Sequence, residues 1–219
     1  MKIIKKNIEF KIAADGSSAS GKTTAGKIIA KNFKMKFLSS GALYRYCALK
    51  IINSKKNFDK KSIEKIAGSI SLKKLNDKKL FNPEVTRLSS ILAKKSYVRN
   101  ALKKFQKNFI RKSKLVLIEG RDIGSQIMPT ADLKLFFVCS IKEKAKRRFK
   151  EFRAVNKKIS LKEVEKALIQ RDKDDTKRKI SPLIMTKNAV LVDTTKFNIK
   201  QMEIKLNNLV LSKIKDKYG

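Results

Sequence analysis

Five short apolar runs punctuate this chain, and most of the sequence between them carries helical periodicity. Runs near 8–14, 36–38, 115–119, 133–139 and 189–193 have the length of buried strands. The first alternates through Ile8, Phe10 and Ile12 before turning small at Ala13 and Ala14. Ile28, Ile29 and Ala30 recur at helical spacing, as do Ile63, Ile66 and Ile70, and then Val85, Leu88, Ile91 and Leu92. Strands alternating with helices predict an α/β fold, a parallel five-stranded sheet covered by helices. In such sheets ligands bind beyond the carboxyl ends of the strands, where the turns at 16–24, Ser39-Ser40-Gly41 and Glu119-Gly120-Arg121-Asp122 are expected to meet.

The stripes within 55–111 read as core of a helix-rich insert. Residues 149–160 join two helical patterns with charges and weak periodicity, which suits either a mobile lid or a plain surface connection. A further helix is expected from Leu161. The expected organisation is one principal domain, with a core at about 1–54, 112–148 and 161–219.

With 219 residues, 42% of them hydrophobic, the chain can bury one sizeable core. No apolar run approaches the ~18 residues of a membrane span; the run at 133–138 is short and broken by Lys134. A soluble, cytoplasmic protein without a cleaved signal peptide is expected. Cys47 and Cys139 lack C-x-x-C spacing and the chain has no His. Disulfide, zinc and His-base chemistry are therefore disfavoured or excluded. The net charge of +36 attracts polyphosphates, but the lysines are spread along the whole chain. A compositional bias toward lysine accounts for them, and no specific nucleic-acid partner is expected.

The turn at 16–24 carries the chemistry. Gly16, Ser17, Ser18, Ala19, Ser20, Gly21, Lys22 and Thr23 fit G-x-x-x-x-G-K-[ST], followed by Thr24, between an expected strand and an expected helix. This is a P-loop, and it points to a nucleoside triphosphate. The glycines let backbone N–H groups turn inward around a polyphosphate, and the helix N-terminus adds positive charge. Lys22 neutralises the β- and γ-phosphates, and Thr23 or Thr24 offers a hydroxyl to Mg²⁺.

Against 45 lysines the chain has only 10 arginines. Arg therefore marks places where a planar, bidentate fork is needed for phosphate or base. Arg171, Asp175 and Arg178 lie at i, i+4 and i+7 and are expected on one face of the helix begun at Leu161, toward a nucleotide.

P-loops serve many reactions. The N-K-x-D motif that reads guanine is missing, because Asn156-Lys157-Lys158 is followed by Ile159, and the length fits a small kinase. Ser39-Ser-Gly-Ala-Leu-Tyr-Arg45, Glu119-Gly-Arg-Asp-Ile-Gly124 and Arg171-Asp-Lys-Asp-Asp-Thr-Lys-Arg178 follow the P-loop in that order. With Ser181-Pro-Leu183 and 189–195, the chain resembles the bacterial cytidylate kinase family over nearly its whole length.

The resemblance implies a nucleoside monophosphate kinase fold with core, acceptor insert (about 55–111) and lid (about 149–160). It implies transfer of the γ-phosphate of ATP to CMP or dCMP, assisted by Mg²⁺, by a monomer. Arg45, Arg121 and Arg178 would hold the acceptor phosphate, in a pocket shared with Ser40. Ser90, Arg99 and Asp122 would read cytosine; Arg171 and Asp175 would contact the ribose. Arg147, Arg148 and Arg153, beside or within the lid, would join Lys22 in neutralising the transferred group. The lack of His fits, since a CMP phosphate is already anionic and catalysis reduces to alignment and neutralisation. Ser39 stands where the family usually carries Asp, and Thr23 where it often has Gly. The segment 67–84 is shorter than the usual insert. Two competing readings are another P-loop small-molecule kinase, and a basic nucleic-acid-binding protein whose P-loop is incidental.

Overall fold

The computed structural model describes residues 8–54, 58–153 and 159–219. Its sheet is built from β1 (Phe10–Gly16), β2 (Lys36–Ser39), β3 (Leu115–Gly120), β4 (Leu133–Val138) and β5 (Ala189–Asp193), in the order β2-β3-β1-β4-β5, all parallel. Each strand falls where an apolar run predicted one. The helices are α1 (Lys22–Asn32), α2 (Ser40–Ser54), α3 (Lys60–Gly68), α4 (Pro83–Leu92), α5 (Ser96–Arg111), α6 (Ile141–Arg153), α7 (Leu161–Lys177) and α8 (Ile199–Tyr218).

Strand side chains alternate, so each strand feeds two cores. Ala13, Val116 and Ile118 face α2 and the insert helices, whereas Ile12, Ala14 and Leu117 face α1 and α8. Of the insert stripes, Ile63, Val85 and Leu92 are fully buried, but Ile91 is 41% exposed, because α4 turns only part of its stripe onto α2. Between α3 and α4 the chain makes two 3-10 turns, Leu72–Asn76 and Lys78–Phe81, that bury Leu75 and Leu80.

Local sequence sets the helix starts. Asp59 with Ser62, Ser160 with Glu163 and Asn198 with Gln201 form capping boxes for α3, α7 and α8, and Asn82 caps α4 ahead of Pro83. Each such cap is worth about 1 kcal/mol. The cap at Ser160 starts α7 at Leu161, as the pattern predicted. α7 ends at Lys177, so Arg178 lies just beyond it in extended backbone rather than on its face. Of the residues expected to form a lid, 149–153 are the last turn of α6, and 154–158 lie outside the described residues. Likewise residues 1–7 of the expected core and 55–57 of the insert are outside them.

Candidate active site

The carboxyl ends of β1, β3 and β2 are adjacent, with Ala14 and Ser39 both opposite Glu119. Three turns therefore meet at one edge of the sheet. At the end of β1 the chain needs Gly16, whose φ is +153° and where a Cβ would lie 2.3 Å from the Phe137 carbonyl oxygen. Gly21, at φ +83°, turns the chain into α1.

Lys22, on the first turn of α1, folds back to donate to the Ser17 carbonyl (3.0 Å) and lies 3.8 Å from Glu119 Oε2. Burial, reinforced by the nearby Arg121 guanidinium, pushes its ammonium down to about 7. Thr23 Oγ1 donates to Glu119 Oε1 at 3.1 Å, and Ser39 Oγ donates to the same oxygen. Thr24, one residue on, is exposed. On the far side of the loop, Thr194 Oγ1 donates to the Ser20 carbonyl (3.0 Å) and is itself held by Arg147, which also donates to the Thr194 carbonyl (2.8 Å).

Two helices close on the outer rim of the loop. From α6, Arg148 donates to Ser18 Oγ (3.1 Å) and to Glu151 (2.8 Å), and Lys144 lies 3.4 Å from Ser17 Oγ. From α7, Asp172 accepts the Ser18 N–H (3.1 Å) and pairs with Lys144.

Most of the remaining candidates form a second cluster between the β3 turn, α5 and the end of α7. Arg99 pairs with Asp122, Arg121 Nε donates to Asp175 (2.7 Å), and Arg178 lies 3.4 Å from Asp175 and 3.9 Å from Asp122. Guanidiniums outnumber carboxylates here, and Arg45 Nε, Arg171 Nε and Arg178 Nη2 are buried without a hydrogen-bond partner among the described residues. Burial drives Arg171 down to about 9, with Arg121 and Arg45 adding to the effect, and drives Arg45 down to about 10, helped by Arg148. Both stay protonated at neutral pH. Arg121 goes the other way: burial opposes its charge, yet Asp175 more than compensates and raises it. Such a cluster is built to receive anions.

Ser40 is buried at the start of α2, its Cβ within 3.2 Å of where a Cβ on Gly120 would be. Ser90 lies on α4, its hydroxyl donating to the Thr86 carbonyl of its own helix. Arg153 is not brought into either cluster: it is exposed at the end of α6 with its guanidinium over the Phe149 ring. A groove of about 1700 Å³ between α3 and α5, rich in lysine, lies apart, and no candidate residue lines it.

Three acidic or basic groups, two buried and one half-buried, escaped the reading of motifs. Asp15 accepts the N–H groups of Ile123 (2.8 Å) and Gly124 (2.7 Å), tying β1 to the β3 turn, and burial pushes it up to about 6. Lys144 and Asp172 are the others. The one available signal was the spacing of Lys144 and Arg148, four apart on α6 and so on one face.

The family model described as Cytidylate kinase matches residues 12–212. Cytidylate kinase of Thermosipho africanus is 38% identical over 216 residues, covering 94% of this chain and 96% of that protein. Cytidylate kinase of Rickettsia rickettsii is 37% identical over 206 residues, covering 94% and 93%. Among solved structures, a shikimate kinase from Acinetobacter baumannii in complex with shikimate matches with a TM-score of 0.50 at 14% identity, covering 94% of this chain and 95% of that one. An uncharacterized protein from Eubacterium ventriosum matches with a TM-score of 0.54 at 12% identity, covering 93% and 99%. At such identities the structural likeness speaks for the fold alone.

Proposed function

The chain belongs to the cytidylate kinase family, and on that premise we propose that it transfers the γ-phosphate of ATP to CMP or dCMP, giving ADP and the nucleoside diphosphate. The observation that carries the reading for this chain is the pair of adjoining clusters: a glycine-rich loop with a buried lysine, and beside it five guanidiniums around two carboxylates, three of them with a buried nitrogen that makes no hydrogen bond among the described residues.

In this reading residues 16–24 receive the polyphosphate of ATP on their N–H groups, and Lys22 leaves Ser17 for the β- and γ-phosphates. Arg45, Arg121, Arg171 and Arg178 take the acceptor phosphate and ribose, with Asp175 and Ser40. Asp122 accepts a hydrogen bond from the exocyclic amine of cytosine, which uracil cannot offer, while Arg99, and Ser90 from α4, complete the polar frame. Arg148 adds positive charge at the outer side of the loop, whereas Arg147 supports the loop through Thr194. Because the acceptor oxygen is already anionic, alignment and neutralisation suffice, and no proton needs a strong base.

Mg²⁺ fits the residues present. Thr23 and Glu119 offer hard oxygen donors at the foot of the loop, already hydrogen-bonded to one another, in the manner of a P-loop hydroxyl and its partner acid. No group of three or more His, Cys, Asp or Glu that would hold a metal alone occurs among the described residues, so the nucleotide phosphates would complete the coordination. When bound, the ion supplies charge neutralisation on the phosphates.

We take the enzyme to act as a monomer with core, insert and lid. Among the described residues no helix is long and apolar enough to cross a membrane; the proposed reaction draws on the nucleotides of the cytoplasm. A coupled ADP-release assay across CMP, dCMP, UMP, AMP, GMP and shikimate tests the assignment. CMP or dCMP should lead, UMP should be slower and the others near background; preferred turnover of AMP or shikimate would sink it.

A further inference from the structure

The strongest unassigned feature is the clasp on the outer rim of the phosphate loop. Asp172 spends one carboxylate oxygen on the Ser18 N–H and the other on Lys144. Lys144 itself is 7% exposed and reaches Ser17 Oγ at 3.4 Å. An ammonium has three protons to donate; two are directed at Asp172 and Ser17, and the third meets no hydrogen-bond partner among the described residues. A carboxylate against a loop that must hold polyphosphate repels the ligand unless a cation neutralises it. Lys144 is that cation. Arg148, one turn further along α6, grips Ser18 Oγ, so α6 presents two positive charges to the same two serines.

We propose that Lys144 is a second lysine at the donor phosphates, and that Asp172 is a positioning residue that holds both Lys144 and the Ser17-Ser18 segment in place. The proposal rests on the donor site being the P-loop. Asp172 lies between Arg171 and Asp175 on α7, so the helix that frames the acceptor pocket also holds the donor loop.

The test is calorimetric binding of ADP and, separately, of CMP to the full chain. Lys144→Met should weaken ADP about tenfold, and Asp172→Asn by a similar factor, with CMP affinity within twofold of wild type. The double variant should bind ADP no more weakly than the weaker single one, since one clasp is broken either way. Lys144→Arg should recover binding to within threefold, which a merely structural loss would not explain. Thermal melts of the double variant, which leaves no unpaired buried charge, keep binding separable from unfolding. Unchanged ADP affinity in Lys144→Met, tighter ADP binding in Asp172→Asn, or additive losses in the double variant would each overturn the proposal. A wild-type protein that binds CMP but no ADP would overturn the P-loop reading and the clasp with it; failure of the acceptor panel alone would leave ADP binding, and this test, intact.

Discussion

Replacing Lys22 by Met should destroy catalysis and yet stabilise the empty protein. Burial holds the Lys22 ammonium at about 7 instead of the ordinary lysine value of 10.5; at about 1.4 kcal/mol per tenfold, that is roughly 5 kcal/mol of cost for keeping it charged in the fold. Between pH 7 and 10.5 the unfolded chain binds more protons at this lysine than the folded one, so wild-type stability rises with pH across that window. Met carries no such cost and no such window. Part of the gain is offset because Glu119 and the Ser17 carbonyl lose a cationic neighbour. We expect a net gain of about 2 kcal/mol at pH 7, or roughly 4–8 °C in a chain of this size. From pH 7 to pH 9 the gap should close by about 2 kcal/mol as the wild-type lysine discharges. Calorimetric melts of the nucleotide-free proteins at pH 7, 8 and 9 and fixed ionic strength measure this, and phosphoryl transfer should fall at least about 10²–10³-fold in parallel. A variant that melts below wild type at pH 7, or a gap that ignores pH, would refute the reasoning.

Thr23→Ala should raise the Mg²⁺ concentration for half-maximal activity about tenfold, the weight of one charge-assisted contact, while Thr24→Ala leaves it unchanged; manganese titration of the ADP complex by electron paramagnetic resonance reads the same order, and the reverse order rejects it. Arg178→Lys keeps the charge but loses the fork that reaches Ser181, Asp175 and Asp122, so KM for CMP should rise about 10–100-fold with KM for ATP within twofold. Asp122→Asn offers uracil a donor where only an acceptor stood, and the ratio of kcat/KM for CMP over UMP should drop about tenfold or more; an unchanged ratio removes Asp122 from base recognition.

The sheet was legible because each strand is an apolar run between turn residues, and β1 announced itself by shrinking to Ala13-Ala14 before the loop. The start of α7 was legible from Ser160, yet its end was not: Arg178 fits the helical spacing but follows the last turn. Arginine carried information because it is scarce here, and that logic picked out the residues that gather around Asp122 and Asp175. The same logic hid Lys144, one lysine among 45, whose importance comes from Asp172, 28 residues away on another helix. It also over-read Arg153, which neighbours the right segment but points over Phe149. The motif does not separate Thr23 from Thr24, whereas in the structure Thr23 donates to Glu119 and Thr24 is exposed.

The last two turns of α7 have a consequence for how this sequence can change length. Arg171 lies near the Arg121 and Arg45 guanidiniums, Asp172 holds the Ser18 N–H of the glycine-rich loop, Asp174 pairs with Lys94 on the insert, and Asp175 joins Arg121 to Arg178. Consecutive helical residues are separated by about 100°, so one inserted or deleted residue between Leu168 and Arg171 would swing all four away from their partners at once. Point changes here can be repaired one contact at a time. A frame of one residue cannot, and the spacing from Leu168 to Asp175 is therefore the part of this chain least free to drift in length.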